Sequence, residues 1–210
     1  MTDFNVNDPS SRRTMVDLSS LQRDGYLVLR NALSSEACDS ISTVLFGLPF
    51  EERKQFGMRF SRNCLTHCPD VGRHFVVSGA LSGVRPEDAL YDEVVEFSGS
   101  YDGSYPWHHD AAYFPEAVVS ISLALSPIKT DHGCFTVVPG SHAAGLLPYD
   151  DTKNGIKAAD VSESRALLLE LERGDIVLNH SLLIHRIAAN LSKSPTRLYS
   201  IILGSAGGTH

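Results

Sequence analysis

From about residue 91 onward the apolar side chains recur in twos, and that period more than any other feature limits what the chain can become. Val119, Ile121, Leu123 and Leu125 alternate with Ser120, Ser122 and Ala124, as they should in a strand that keeps one face in a core. Leu167, Leu169 and Leu171 alternate with Leu168, Glu170 and Glu172; an Arg173-Gly174-Asp175 turn then leads into Ile176-Val177-Leu178, and a last strand is expected over 198–203. Short strands between turn signals, with few helical patterns among them, select a β-sandwich or jelly roll.

Helical readings are confined to the first third. A short helix is expected over 16–23, ended by Asp24-Gly25, with a strand following at Tyr26-Leu27-Val28-Leu29. Ser34 or Ser35 can cap a helix running to about Leu45, with Glu36 in its first turn. The Glu, Lys and Arg content of 49–62 suggests a further exposed helix, and irregular structure is expected from there to Tyr91. Residues 1–14 are polar and read as a frayed terminus. The excursion 143–164, with Pro148, Tyr149, Asp150, Asp151, Asn154 and Gly155, is too long for a hairpin turn and is either a cover over a site or a surface insertion.

At 210 residues the chain suits one substantial core better than two domains. Its 42% hydrophobic content and mixed charge are those of an ordinary globular protein, and no apolar run approaches the roughly 18 residues of a membrane span. The opening Met1-Thr2-Asp3-Phe4-Asn5 has no basic and apolar export pattern. Cys38, Cys64, Cys68 and Cys134 show no disulfide framework, so a reduced cytoplasmic setting is expected. Cys64 and Cys68 with His67 and His74 lack the second cysteine pair of a zinc cluster. The formal net charge of -7 argues against nucleic acid as a partner.

The chemistry concentrates in Trp107-His108-His109-Asp110. On extended backbone His108 and Asp110 project to one side while His109 points away. Two such groups and a distant histidine form the 2-His-1-carboxylate set that holds Fe(II) with positions left open. In a chain with nine histidines the triplet alone decides nothing. Its surroundings add a Gly/Ser/Pro-rich turn over 99–106, the alternating strand, a Gly-Cys-Phe-Thr-Val-Val-Pro-Gly-Ser-His segment, and then His185 with Asn190, Ser192 and Arg197.

Together these segments resemble the phytanoyl-CoA dioxygenase family of Fe(II)/2-oxoglutarate oxygenases. Residues 21–29 and 33–37 are similar to the family's opening helix, strand and second helix, so the resemblance covers most of the chain, least between about 47 and 90. It implies a mainly β, double-stranded β-helix (a cupin-like jelly roll) with the N-terminal helices packed on one outer face. The whole of 1–210 is then a single catalytic domain, with support from 1–90 and a core over 91–206. It implies Fe(II) held by His108, Asp110 and His185, with 2-oxoglutarate and O2 as cosubstrates. The reaction is oxidation of a C–H bond of a small-molecule substrate, hydroxylation by default, with release of succinate and CO2. A carboxylate at position 110 disfavours halogenation. The alternative is a non-catalytic cupin-like binding or scaffold protein.

The resemblance also assigns roles around the iron. His185 is preferred over His132, His142 and His180, because it alone combines a Gly-Asp strand entry with Asn190, Ser192 and a downstream arginine. Arg197 lies where the family carries the arginine that meets the far carboxylate of 2-oxoglutarate. Its gap from His185 is one residue longer than the common family spacing. Ile187 stands where relatives place a hydroxyl, so Thr136 and Tyr199 are the expected substitutes. Trp107 and Tyr113, with Phe114, either pack the core or wall the substrate pocket. Asn190 and Ser192 are expected to cap the turn after His185.

Overall fold

The alternating segment around Ile121 is a strand, Ala117–Ala124, near the middle of a seven-stranded antiparallel sheet. The computed structural model describes residues 18–77, 81–82, 86–150 and 155–204. The expected frayed terminus and part of the 143–164 excursion fall outside them. In chain order the strands are β1 (Tyr26–Leu29), β2 (Glu51–Arg53), β3 (Met58–Arg62), β4 (Val76–Val77), β5 (Leu81–Ser82), β6 (Ala89–Phe97) and β7 (Ala117–Ala124). There follow β8 (Phe135–Val137), β9 (Tyr149–Asp150), β10 (Gly155–Ile156), β11 (Leu167–Leu169), β12 (Ile176–His180), β13 (His185–Ile187) and β14 (Thr196–Gly204). The large sheet runs β1-β12-β7-β14-β6-β3-β2, and a smaller one runs β11-β8-β13.

Strand alternation divides the interior into two cores. On one face of the large sheet Ile121, Leu123, Ile176, Leu178, Tyr199 and Ile201 pack against Cys38, Ile41 and Leu45 of helix α2, Ser35–Leu45, after the short α1, Ser19–Asp24. Ser34 caps α2 by accepting from the Ala37 amide, and Gly25 ends α1 in the left-handed conformation. The helix thus lies on one outer face, as expected. On the other face Val95, Ala124, Val177 and Leu198 meet Phe135, Val137, Leu169 and Ile187 of the small sheet. Each such side chain contributes about 1.5–3 kcal/mol by leaving water. This is the mainly β, jelly-roll arrangement expected from the alternation. Asp175 fastens the β12 entry, accepting from the Asn31 and Glu172 amides and from Arg30. No described helix is long and apolar enough to cross a membrane.

The expected exposed helix over 49–62 is instead a hairpin. Its charged residues carry helix propensity, but Met58 and Phe60 are buried on β3, which pairs with β6 from Met58↔Phe97 to Arg62↔Glu93. Long-range pairing overrides the local preference. The turn holds Gly57 at φ +56, where an added Cβ would lie 2.3 Å from the Tyr101 ring. The alternation at 167–171 also holds only in part, because Leu167 and Leu168 are both exposed while Leu169 and Leu171 are buried.

Candidate metal centre and cavity

His108, His109 and Asp110 do not lie on a long ladder strand. His108 makes an isolated bridge to His185, His109 is extended (φ -113, ψ 140), and Asp110 begins a single 3-10 turn, Asp110–Ala112. That one extended residue suffices to aim the flanking side chains the same way. The bridge, with the His108 and His185 amides each donating to the other's carbonyl at 3.0 and 3.1 Å, delivers the distal histidine to the same spot.

Three ligating atoms converge there, all within 4.8 Å of one another. Asp110 Oδ1 lies 3.7 Å from His108 Nε2 and 3.6 Å from His185 Nε2. Both imidazoles are oriented from behind, Nδ1 of His108 donating to the Pro106 carbonyl and Nδ1 of His185 to the Leu183 carbonyl, each at 3.0 Å. Those bonds put the ring proton on Nδ1 and leave Nε2 with a free lone pair, as a metal requires. Asp110 is treated likewise: its Oδ2 accepts from Ser120 Oγ at 2.5 Å and Asn179 Nδ2 at 3.2 Å, leaving Oδ1 free.

Protonation matches this division. Burial and the neighbouring His185 push the His108 imidazole down to about 3, so it is neutral. Burial alone would raise the Asp110 carboxyl, but His185, His108 and the bonds from Ser120 and Asn179 outweigh it and hold the group below the usual carboxylate range. Two imidazole nitrogens and one carboxylate oxygen, open on one side, fit Fe(II) by donor chemistry.

The open side faces a cavity of about 490 Å3 between the two sheets. Ser120 and Ser122 of β7, which a solvent-facing reading of the alternation would put in water, line it. So do Tyr105 and Tyr113; the Tyr105 ring is edge-on to His108 with centroids 5.0 Å apart. The excursion folds over this end. Tyr149 donates to Tyr113 Oη at 2.6 Å, the Ile156 amide donates to the Trp107 carbonyl at 2.7 Å, and Trp107 Nε1 donates to Glu163 at 2.9 Å. His109 points away, as expected, with Nδ1 donating to Leu182 O at 2.8 Å and Nε2 accepting from the Leu147 amide at 3.2 Å.

The other sequence candidates are placed differently. Arg197, Thr136 and Tyr199 do not line the cavity. Leu198, Ser200 and Ile202 are the β14 residues that do, so alternation turns Arg197 and Tyr199 to the helix side. Arg197 Nε donates to Glu96 Oε2 at 2.7 Å and its guanidinium covers the Phe46 ring. Tyr199 Oη donates to Asp92 at 3.0 Å. Thr136 pairs with Arg186 and Leu168 on the outward face of β8 and bonds the Cys134 carbonyl. The longer turn explains the arginine: in a strand a shift of one residue reverses every side chain. Asn190 holds that turn, as expected, donating to the Ser194 carbonyl and accepting from Ser192. Trp107 packs with Val138, Ile156, Val161 and Ile184, beneath the Arg186 guanidinium, and is a core residue rather than a cavity wall.

Of the unchosen histidines, His142 bonds the Gln22 carbonyl and His180 accepts from the Leu182 amide. His132 lies beside Asp131. None of the three joins the metal group.

The family description Phytanoyl-CoA dioxygenase (PhyH) matches residues 73–198, more than half of the chain. The chain belongs to the phytanoyl-CoA dioxygenase family. Peroxisomal phytanoyl-CoA dioxygenase of Homo sapiens is 31% identical over 122 residues, 52% of this chain and 36% of that protein. The chain thus spans about a third of the length of the curated relatives it matches. Two solved structures share the fold. EvdO2 of Micromonospora carbonacea var. aurantiaca, complexed with 2-oxoglutarate, superposes with a TM-score of 0.74 at 20% identity, covering 98% of this chain and 94% of its own. HygX of Streptomyces hygroscopicus, with nickel, 2-oxoglutarate and hygromycin B bound, gives 0.70 at 17%, covering 91% and 87%.

Proposed function

We propose that this PhyH-family chain is an Fe(II)/2-oxoglutarate-dependent dioxygenase acting on a small molecule, with hydroxylation of a C–H bond as the default outcome. The observation that carries the reading is the convergence of His108 Nε2, His185 Nε2 and Asp110 Oδ1 at the wall of the cavity between the two sheets. When bound, iron and 2-oxoglutarate supply activation of dioxygen, the cosubstrate leaving as succinate and CO2. The protein's own residues do the rest. His108, Asp110 and His185 would hold the metal, and the carboxylate would cancel one of its two positive charges. Pro106, Leu183, Ser120 and Asn179 fix how the three ligands point. Tyr105 and Tyr113 offer hydroxyls to a substrate beside His108, and Tyr149 holds the Tyr113 hydroxyl from the excursion side. HygX, which shares the fold, holds 2-oxoglutarate and a small molecule, hygromycin B, in its structure.

Anaerobic titration with Fe(II) and 2-oxoglutarate tests the reading directly, because chelation of the cosubstrate at this site gives a visible metal-to-ligand charge-transfer band. Wild-type protein shows the band, and His108→Ala, Asp110→Ala and His185→Ala each lose it together with substrate-dependent succinate formation. A wild-type protein with no band under these conditions is the binding scaffold rather than the oxygenase.

A further inference from the structure

The cavity needs a cation for the far carboxylate of 2-oxoglutarate, and Arg197 faces the other side of its strand. We propose that Arg62 on β3, assisted by Arg53 on β2, takes that place; the inference rests on the oxygenase reading above.

Among the described residues lining the cavity, Arg53 and Arg62 are the only lysine or arginine side chains. Both guanidinium groups sit against the Phe60 ring, 4.4 and 4.7 Å from its centroid. Arg62 Nε is buried without a hydrogen-bond partner, a donor withdrawn from water with nothing to receive it. Such a group is costly unless a ligand supplies the acceptor. The one cavity-lining carboxylate at this end is Glu93, which accepts from Tyr91 Oη at 2.5 Å. Two guanidinium groups against one carboxyl leave positive charge in excess. At the opposite wall a divalent ion held by one carboxylate is also in excess by one charge. A dicarboxylate lying between the two ends answers both.

Sheet register places the ends in line. Arg62 pairs with Glu93, Glu93 with Ser200 and Ser200 with Ser122, so the four form one row across β3, β6, β14 and β7. Ser122 is the next cavity-facing residue on β7 after Ser120, the donor to Asp110. Adjacent strands lie about 4.8 Å apart, so Arg62 starts roughly 14 Å from Ser122 across the sheet. Its long side chain and an extended 2-oxoglutarate share that span. The Ser122 and Ser200 hydroxyls, 3.1 Å apart, sit at the far end of that row from Arg62, beside the metal wall, where they can bond the bound dicarboxylate. A guanidinium is suited to this because it meets a carboxylate with two parallel donors.

The test compares two ligands in the anaerobic iron complex: 2-oxoglutarate and 2-oxopentanoate, the same carbon chain without the far carboxylate. Arg62→Met is expected to weaken 2-oxoglutarate by roughly 10- to 100-fold, the worth of a charged hydrogen bond, and to leave 2-oxopentanoate unchanged. Arg62→Lys recovers part of the loss, and Arg197→Met leaves both affinities as in wild type. Equal loss of both ligands in Arg62→Met gives Arg62 a structural role only and overturns the proposal. So does an undiminished 2-oxoglutarate affinity, or a selective loss in Arg197→Met. Absence of the band in wild type sinks the oxygenase reading instead, so the two failures are told apart.

Discussion

The two walls of the cavity are built on different principles. At the metal wall every side chain is held from behind: His108 by Pro106, His185 by Leu183, and Asp110 by Ser120 and Asn179. The atoms that meet the ion are thereby the ones left without partners. At the opposite wall, Arg53, Phe60 and Arg62 come from a hairpin at the sheet edge; both arginines rest on the Phe60 ring, and Arg62 also meets the Tyr91 side chain while its Nε keeps no partner. The first wall is preorganised and its parts are close together in space. The second is an added edge, held to the rest of the sheet through β6. Metal chemistry calls for the one and ligand choice tolerates the other.

Four variants break or sharpen this contrast. The largest effect is expected from freeing the back of the metal carboxylate: Ser120→Ala with Asn179→Leu should reduce iron affinity about 10- to 100-fold while the fold is kept, as read by metal titration and circular dichroism. Arg53→Met, which touches only the far wall, leaves iron affinity unaltered. Next, Gly57→Val forces a branched side chain into a left-handed turn against Tyr101 and is expected to cost about 1–3 kcal/mol of stability, seen as a lower Tm. Iron affinity of the folded variant stays at the wild-type value, because the hairpin does not orient the ligands. The smallest effect belongs to Tyr149→Phe, which removes the bond from the excursion to Tyr113. A neutral hydrogen bond is worth about 1 kcal/mol, so substrate KM should rise severalfold with the charge-transfer band intact.

What could be read before the structure follows the same line. The β7 alternation and the His-x-Asp triplet are local facts, and each needs only the extended geometry of a few residues to have its consequence. α2 was legible because the Ser34 cap and Glu36 act within its own first turn. The hairpin over 51–62 was not, because its identity as a pair of strands comes from pairing with β6, some thirty residues on, while its charges favour a helix. Ser120 and Ser122 were visible as the polar half of an alternating strand, but whether that half faces water or a cavity is set by the second sheet. Arg197 shows the sharpest limit. Its position along the chain was sound, yet the face it occupies depends on the parity of the turn before it, and one extra residue there reverses the answer. Trp107 was open between two roles because the excursion that buries it lies some fifty residues away.

His109 has both ring nitrogens engaged, one with Leu182 and one with Leu147, while its backbone is the link between His108 and Asp110. The excursion above the pocket is therefore pinned to the single residue whose torsion aims two of the three metal-binding groups. Moving Leu147 away breaks its bond to that ring, so the seat of this segment and the aim of His108 and Asp110 are joined through one imidazole.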